Sequence, residues 1–286
     1  MFTDENKFGG GPARERDYVP PGSIDSHAHV FVNGLPVAAQ RRYTPDYAAT
    51  LEQYLKRLDE QGLACGVLVQ PSFLGTDNAY LLQALQQARG RCRGVAVVEA
   101  DVDLKVLETM SDQGVVGARL NLFGRALPDF SQAVWQAFFE KLNALDWHVE
   151  VHCPYQQLPI VMPALLQKAD KVVVDHLGRP DFKQGVHFGQ LEYLCSLAAS
   201  GRVWVKLSGD YRIWPEGSTD GCEAVVQYLI DSFGTQRLMW GSDWPHTEHE
   251  SLSSVRKSLH WLINAVASQE DLAGILSHTP KSFFRF

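Results

Sequence analysis

The feature that most constrains this chain is an alternation. Short β-branched runs are separated by stretches whose apolar residues recur at helical spacing. The runs occupy residues 23–30, 65–70, 94–100, 115–122, 147–152, 171–176, 202–208 and 237–243. Between them, helical patterns begin near residues 45, 78, 103, 131, 158, 189, 222 and 251, with a last short one near 271. In the first, Thr44 suits an N-cap and Pro45 the first helical position. Leu51, Leu55 and Leu58 then repeat at helical spacing and Gly62 stops the run. Eight strand–helix units in 286 residues predict an α/β chain folded as a single (β/α)8 TIM barrel over residues 23–286. A doubly wound open sheet is the alternative, but it would carry a GxGxxG or P-loop fingerprint, and neither is present.

Residues 1–22 are rich in Gly and Pro and contain no apolar h-region. They read as an irregular lead-in, not a signal peptide. With 45% apolar and 21% charged residues the composition is that of a globular protein. No apolar run reaches the roughly 18 residues of a membrane span. The net charge of -7 argues against nucleic acid or an anionic membrane as a partner, so any attraction for anions is local to a pocket. The cysteines, Cys65, Cys92, Cys153, Cys195 and Cys222, are odd in number, scattered and without a CxxC pair. That is the usage of reduced thiols, and it predicts a cytoplasmic location. Nothing in the sequence fixes an oligomeric state; a homo-oligomer is compatible with a helical barrel exterior.

Placed on the predicted strands, His27 and His29 close strand one, His152 ends strand five, His176 ends strand six and Asp243 ends strand eight. One strand-end histidine would be ordinary packing. Five metal-capable residues at C-terminal strand ends share the face on which barrel enzymes build their sites. His27 and His29 point to the same side by strand alternation. His27, His29, His152 and Asp243 could hold one divalent ion, Zn or Mn, with an open position for water. Alternatively the site works without metal, Asp243 acting unbound as a general base while His176 orients the substrate oxygen.

Arginines form a second set. Arg119 and Asn121 share a face of strand four, Arg125 follows it, Arg179 lies in HLGRP and Arg212 in SGDYR. Each alone would be a surface salt-bridge residue. Together on one rim they predict carboxylate clamps, because the guanidinium fork matches a carboxylate bidentately. A small anionic, carboxylated substrate is the implied partner. Asp25, Glu150 and Lys206 fall on inward positions. They predict a buried polar network under the site, unless a bulge turns some of them outward.

Other residues carry less. Cys153 faces away from its neighbour His152, and Trp240, Trp244 and Trp261 suit packing. Ser72, Ser208 and Ser242 lack a GxSxG elbow. Of the remaining histidines only His246, in DWPH beside Asp243, stands near the predicted site.

The motifs DSHAH, DHLGRP and WGSDWPH resemble those of the amidohydrolase superfamily. More narrowly, VLVQPSFLGTDNAYLLQAL, GVAVVEADVD, GARLNLF and VVVDHLGRPD are similar to the 2-pyrone-4,6-dicarboxylate lactonase group, from Gly22 onward. The resemblance implies a barrel hydrolase that opens a carboxylated lactone. Asp243 would activate water, and His27, His29 and His176 would polarise the carbonyl. Arg119, Arg125, Arg179 and Arg212 would hold carboxylates, with Thr76, Asp77 and Asn78 shaping the loop after strand two. That group carries a tyrosine at the end of strand five and works without metal. His152 stands there in this chain and restores a mononuclear set, and SGDYRIWPEG is closer to lactonases of sugar acids or muconolactones. A metal-dependent non-oxidative decarboxylase of an aromatic or muconate-like acid, or a lactone isomerase, would use the same residues. A barrel that only binds a small anion or metal is the non-enzymatic reading.

Overall fold

The computed structural model describes residues 18–286, so most of the expected lead-in at residues 1–22 lies outside the described residues. Eight parallel strands form one sheet in sequence order: β1 (Ile24–Ala28), β2 (Cys65–Val69), β3 (Cys92–Ala96), β4 (Val115–Asn121), β5 (His148–His152), β6 (Val172–Val174), β7 (Val203–Leu207) and β8 (Leu238–Trp240). The first and last close on each other just beyond β8. Ala28 bridges Trp244 in parallel, His29 N donates to Trp244 O at 2.7 Å, and Asp243 N donates to His27 O at 2.8 Å. This is the (β/α)8 barrel that the alternation predicts. Among the described residues no helix is long and apolar enough to cross a membrane, and all five cysteines are free.

The main helices are α1 (Leu51–Glu60), α2 (Ala79–Gln87), α3 (Leu104–Asp112), α4 (Ala133–Ala144), α5 (Leu158–Leu166), α6 (Glu192–Ser196), α7 (Cys222–Phe233) and α8 (Val255–Ala265). Two short ones, α9 (Gln269–Ala273) and α10 (Thr279–Phe284), end the chain. The first helix does not begin at Thr44. Thr50 caps it, in a box where Thr50 Oγ1 accepts from Gln53 N and Gln53 Oε1 accepts from Thr50 N. Thr44 Oγ1 instead accepts from Arg41 Nε at 2.6 Å, and Phe31 and Ala49 exchange backbone hydrogen bonds. The chain between them is therefore a rim loop over the C-terminal face of the barrel.

The third strand also differs from expectation, running Cys92–Ala96 where 94–100 is predicted. The Asn78 side chain takes both Val97 N and Val97 O, which ends the ladder there. An outer core lies between strands and helices, with Phe138, Phe139, Trp147 and Phe233 among its fully buried members. A separate cluster joins Val67, Val69, Val95, Val116, Val173 and Met239 to Phe284 of α10. It supplies an apolar floor, so the polar residues of the strands collect toward the other end.

Gly241 marks the closure. A Cβ there would lie 2.5 Å from His27 Cβ and 2.8 Å from His27 N, so β8 can approach β1 only without a side chain. Gly241→Ala is expected to destabilise the fold by about 1–3 kcal/mol through overpacking. Urea unfolding would show this as a lower midpoint at unchanged slope.

Candidate active site

Strand alternation delivers His27 from β1, and the chain just past the strand ends delivers His29, His176 and Asp243. His176 (φ 51°) and Asp243 (φ 58°) both adopt left-handed backbone conformations, as do Leu177, Arg179 and His246 on the same two segments. Non-glycine residues held there store strain of order 1–3 kcal/mol each. The turn lets neighbours Asp175 and His176 reach a common interior, which simple alternation would forbid.

Asp243 is the focus. Its Oδ2 accepts from Tyr211 Oη at 2.6 Å and from Arg212 Nε at 3.0 Å. Its Oδ1 faces His29 Nε2 at 3.5 Å and His27 Nε2 at 3.7 Å. Burial would raise this carboxyl, but the Arg212 guanidinium beside it holds it well below the usual carboxylate range. It is ionised at neutral pH. His29 Nδ1 lies 2.8 Å from Val69 O, and a carbonyl only accepts, so Nδ1 carries a proton; when the ring is neutral, Nε2 is then a lone pair. In that state two acceptors face each other at 3.5 Å, an arrangement that calls for the hydrogens of a water or for a cation.

Burial lowers the imidazoles of His27, His152 and His176, the last two well below the ordinary value, so they are neutral at pH 7. His176 Nδ1 lies 2.8 Å from Ser208 Oγ. His152 Nδ1 lies 3.1 Å from Asn121 Oδ1, which accepts its proton, and its ring stacks on Phe123 at 12° and 5.3 Å. His246 Nε2 is buried without a partner among the described residues, and burial takes its imidazole down to about 4.

Beneath the histidines lies a buried ionic layer. Lys206 Nζ contacts Glu150 Oε2, lies 3.6 Å from Asp175 Oδ1 and 3.1 Å from His27 Nδ1. Arg119 pairs with Asp175 (Nη2–Oδ2 2.7 Å, Nε–Oδ2 2.9 Å) and with Glu150 at 3.3 Å. Two cations and two anions balance. Glu150 and Lys206 belong to the predicted network. Asp25 does not, because its carboxylate accepts from Ser242 N, Ser242 Oγ and His27 N at the barrel seam.

Of the predicted substrate arginines, Arg119 is thus ion-paired inside the barrel and Arg212 is paired with Asp243. Arg179 stands 4.8 Å from the Phe123 ring centroid, and Arg125 donates to Gln40 O at 3.2 Å. Arg119, Asn121 and Arg125 share a cavity of about 500 Å³ with Thr76 and Asp77. Asn78 lies behind it, its amide spent on Val97 and Thr76 O, so the structure makes it a loop brace. Sequence reasoning missed Asp175, Tyr211 and Phe123. Asp175 and Tyr211 sit inside the quoted motifs DHLGRP and SGDYR, and that position was the available signal. Phe123 likewise ends the quoted GARLNLF.

One ring nitrogen each of His27 and His29 and a carboxylate oxygen of Asp243 lie within 4.8 Å of one another, as do donors of His27, Asp175 and His176. His152 belongs to neither group. Two imidazoles and a carboxylate suit a divalent ion by donor type, and the facing acceptors of His29 and Asp243 fit one. His27 can join them only in the tautomer whose Nδ1–H points to Asp175 Oδ1 at 3.4 Å; donation from Lys206 to Nδ1 favours the other tautomer.

Compared with known proteins, residues 24–286 match the family described as amidohydrolase. A 2-pyrone-4,6-dicarboxylate hydrolase of Comamonas testosteroni is 32% identical over 248 residues, 82% of this chain and 80% of that protein. A 4-sulfomuconolactone hydrolase of Hydrogenophaga intermedia is 28% identical over 276 residues, 94% of this chain and 90% of that protein. The solved structure of a probable 2-pyrone-4,6-dicarboxylic acid hydrolase from Acinetobacter baumannii, with citric acid bound, is 37% identical. It superposes with a TM-score of 0.88, covering 93% of this chain and all of that one.

The ionic layer sets two expectations for stability. Lys206→Met leaves Glu150 and Asp175 facing each other without their shared ammonium, and should destabilise by about 3–5 kcal/mol in urea titrations at pH 7. Burial would raise the Asp175 carboxyl, but Arg119, His27 and Lys206 hold it well below its ordinary 3.8. A depressed carboxyl contributes stability above its unfolded pKa and loses it as pH falls through the folded one. The wild type should therefore lose stability steeply below about pH 4. Asp175→Asn should be less stable at pH 7 and show a shallower acid slope.

Proposed function

Because this chain belongs to the amidohydrolase family, we propose that it is a hydrolase that opens a small carboxylated lactone, with Asp243 taking the proton of the attacking water. The observation that carries this reading is His29 Nε2 facing Asp243 Oδ1 at 3.5 Å, two acceptors when the ring is neutral. A water donating one hydrogen to each presents its lone pair outward, to the carbonyl of a bound lactone. As the water oxygen bonds to the carbonyl carbon, its proton passes to Asp243. The developing oxyanion accepts from His176 Nε2–H, the tautomer set when Ser208 Oγ donates to Nδ1. His27 Nε2–H adds a second donor when Lys206 donates to its Nδ1. Collapse breaks the bond to the ring oxygen, which takes the proton back from Asp243 and leaves a ring-opened hydroxy acid. A divalent ion held by His27, His29 and Asp243 would supply Lewis-acid polarisation of the carbonyl and acidify its bound water.

Carboxylates on the substrate also bear on the base. With Arg212 against it, Asp243 is a weak base. A substrate carboxylate that draws the Arg212 guanidinium toward itself leaves Asp243 more basic when the water must be deprotonated. Arg119, Arg125 and Arg179 are proposed as the other carboxylate contacts, with Asn121, Thr76 and Asp77 shaping the cavity beside them. The names of the relatives support this substrate class. Pyrone dicarboxylate, muconolactones and sugar-acid lactones are its candidate members.

Asp243→Asn should lower the ring-opening rate by about 10³-fold, and Tyr211→Phe by about tenfold, with the fold intact by circular dichroism. The assay is ultraviolet or pH-stat detection of ring opening across those three lactone classes. If the folded wild type turned over none of them, the reading would fall.

A further inference from the structure

Besides Arg125, which donates to Gln40 O, four guanidiniums stand about the site, and their charges are not disposed of alike. Arg119 is neutralised by Asp175 and Glu150, and Arg212 by Asp243. Among the described residues, neither Arg42 nor Arg179 has a carboxylate within salt-bridge distance. The guanidinium carbon of Arg42 lies 5.0 Å from the Phe123 ring centroid, and that of Arg179 lies 4.8 Å from the same centroid. Arg42 comes from the rim loop after β1. Its stem passes over Gly124, where a Cβ would lie 3.7 Å from Arg42 Cδ.

The ring that gathers these two cations is fixed to the catalytic histidines. Phe123 lies parallel to His152, and His152 stands edge-on to His176 at 5.2 Å and 88°. A cation–π contact contributes roughly 0.5–2 kcal/mol. Bringing a second like charge to the same ring opposes that gain, and an anion between them removes the opposition. The charges do feel each other. Burial lowers both groups, and the remaining opposing charges include Arg212 for each and Arg42 for Arg179, which falls to about 10. A cleft of about 170 Å³ opens beside Arg42 and Phe123, with Arg41, Ser72, Asn121 and Arg125 also in its lining. It adjoins the larger cavity through Asn121 and Arg125.

We propose that Arg42, seated with Arg179 on Phe123, is a specificity-determining residue that binds a second carboxylate of the substrate, so that the site selects doubly over singly carboxylated rings. This rests on the reading of the site as one for carboxylated lactones, and it adds a residue from the rim loop to the recognition set. Phe123 is a positioning residue, acting through the two guanidiniums it holds.

The test uses the whole chain and two rings that contain no lactone, benzene-1,3-dicarboxylate and benzoate, titrated by calorimetry. Wild type should bind the dicarboxylate at least tenfold more tightly than benzoate. Arg42→Gln should weaken the dicarboxylate about tenfold and leave benzoate within twofold, and Phe123→Leu should shift the same preference in the same direction. Arg42 is an exposed residue of the rim loop and no member of the buried core, so its replacement leaves the core untouched. Equal binding of the dicarboxylate by wild type and Arg42→Gln overturns the proposal. So does equal weakening of both probes, which would show only a general positive field. On any lactone that is turned over, Arg42→Gln should raise KM with kcat little changed. Because neither probe can be hydrolysed, a protein that opens no lactone yet keeps the preference would refute the hydrolase reading and leave the subsite standing.

Discussion

The ammonium of Lys206 is fully buried between Glu150, Asp175 and His27, and the geometry above it depends on that placement. Moving an ion out of water costs several kcal/mol, and a buried pair seldom outperforms a well-packed apolar substitute. The layer is therefore better understood by what it orients. Asp175 is shared between Arg119 and Lys206, and it lies one residue before His176. Any shift of the layer moves the turn that aims His176. His27 receives its tautomer from the same ammonium. Charge balance below thus becomes hydrogen-bond direction above, which is the usual work of groups behind a catalytic set.

The second constraint is the left-handed backbone at His176 and Asp243. Regular strand geometry would send Asp175 and His176 to opposite faces and could not bring both to one interior. The turns at the ends of β6 and β8 break the alternation at the two places where the site needs it. Gly209, also left-handed, lets the chain after β7 pass His176, since a Cβ there would lie 3.0 Å from its Nδ1. The strain is local, and the barrel seam and the ionic layer hold it in place.

This explains what could be read from the sequence and what could not. The barrel was legible because eight periodic runs each report one strand, and hydrophobic period survives without knowledge of neighbours. His27, His29, His176 and Asp243 were legible because they lie at strand ends, where topology alone selects the face. The pairing inside the barrel was only half legible. Parity found Glu150 and Lys206, but it assigned Asp25 to the same network, whereas the closure of β1 on β8 gives Asp25 to Ser242. Thr44 looked like a helix cap because Thr-Pro is a good local start. The backbone pairing of Phe31 with Ala49 overrides it, and the true cap is Thr50. Phe123 lay at the end of GARLNLF, but its contact with Arg42 was invisible, since an aromatic residue after a strand and an arginine in a loop have no spacing rule that joins them.

Charge links these layers to the substrate. His27, His152 and His176 are neutral, the deep ionic layer balances itself, and Asp243 is balanced by Arg212. Arg42, Arg125 and Arg179 keep positive charge that no carboxylate among the described residues takes up within salt-bridge distance. A ligand that brings its own negative charge completes the electrostatics of the rim, and a neutral ligand leaves those guanidiniums partly desolvated without a counter-charge. An overall acidic protein can therefore favour anions at one place, because the imbalance is confined to the mouth of the barrel. On the proposed reading, an entering carboxylate would compete with Asp243 for Arg212, and recognition of the substrate would then adjust the strength of the base.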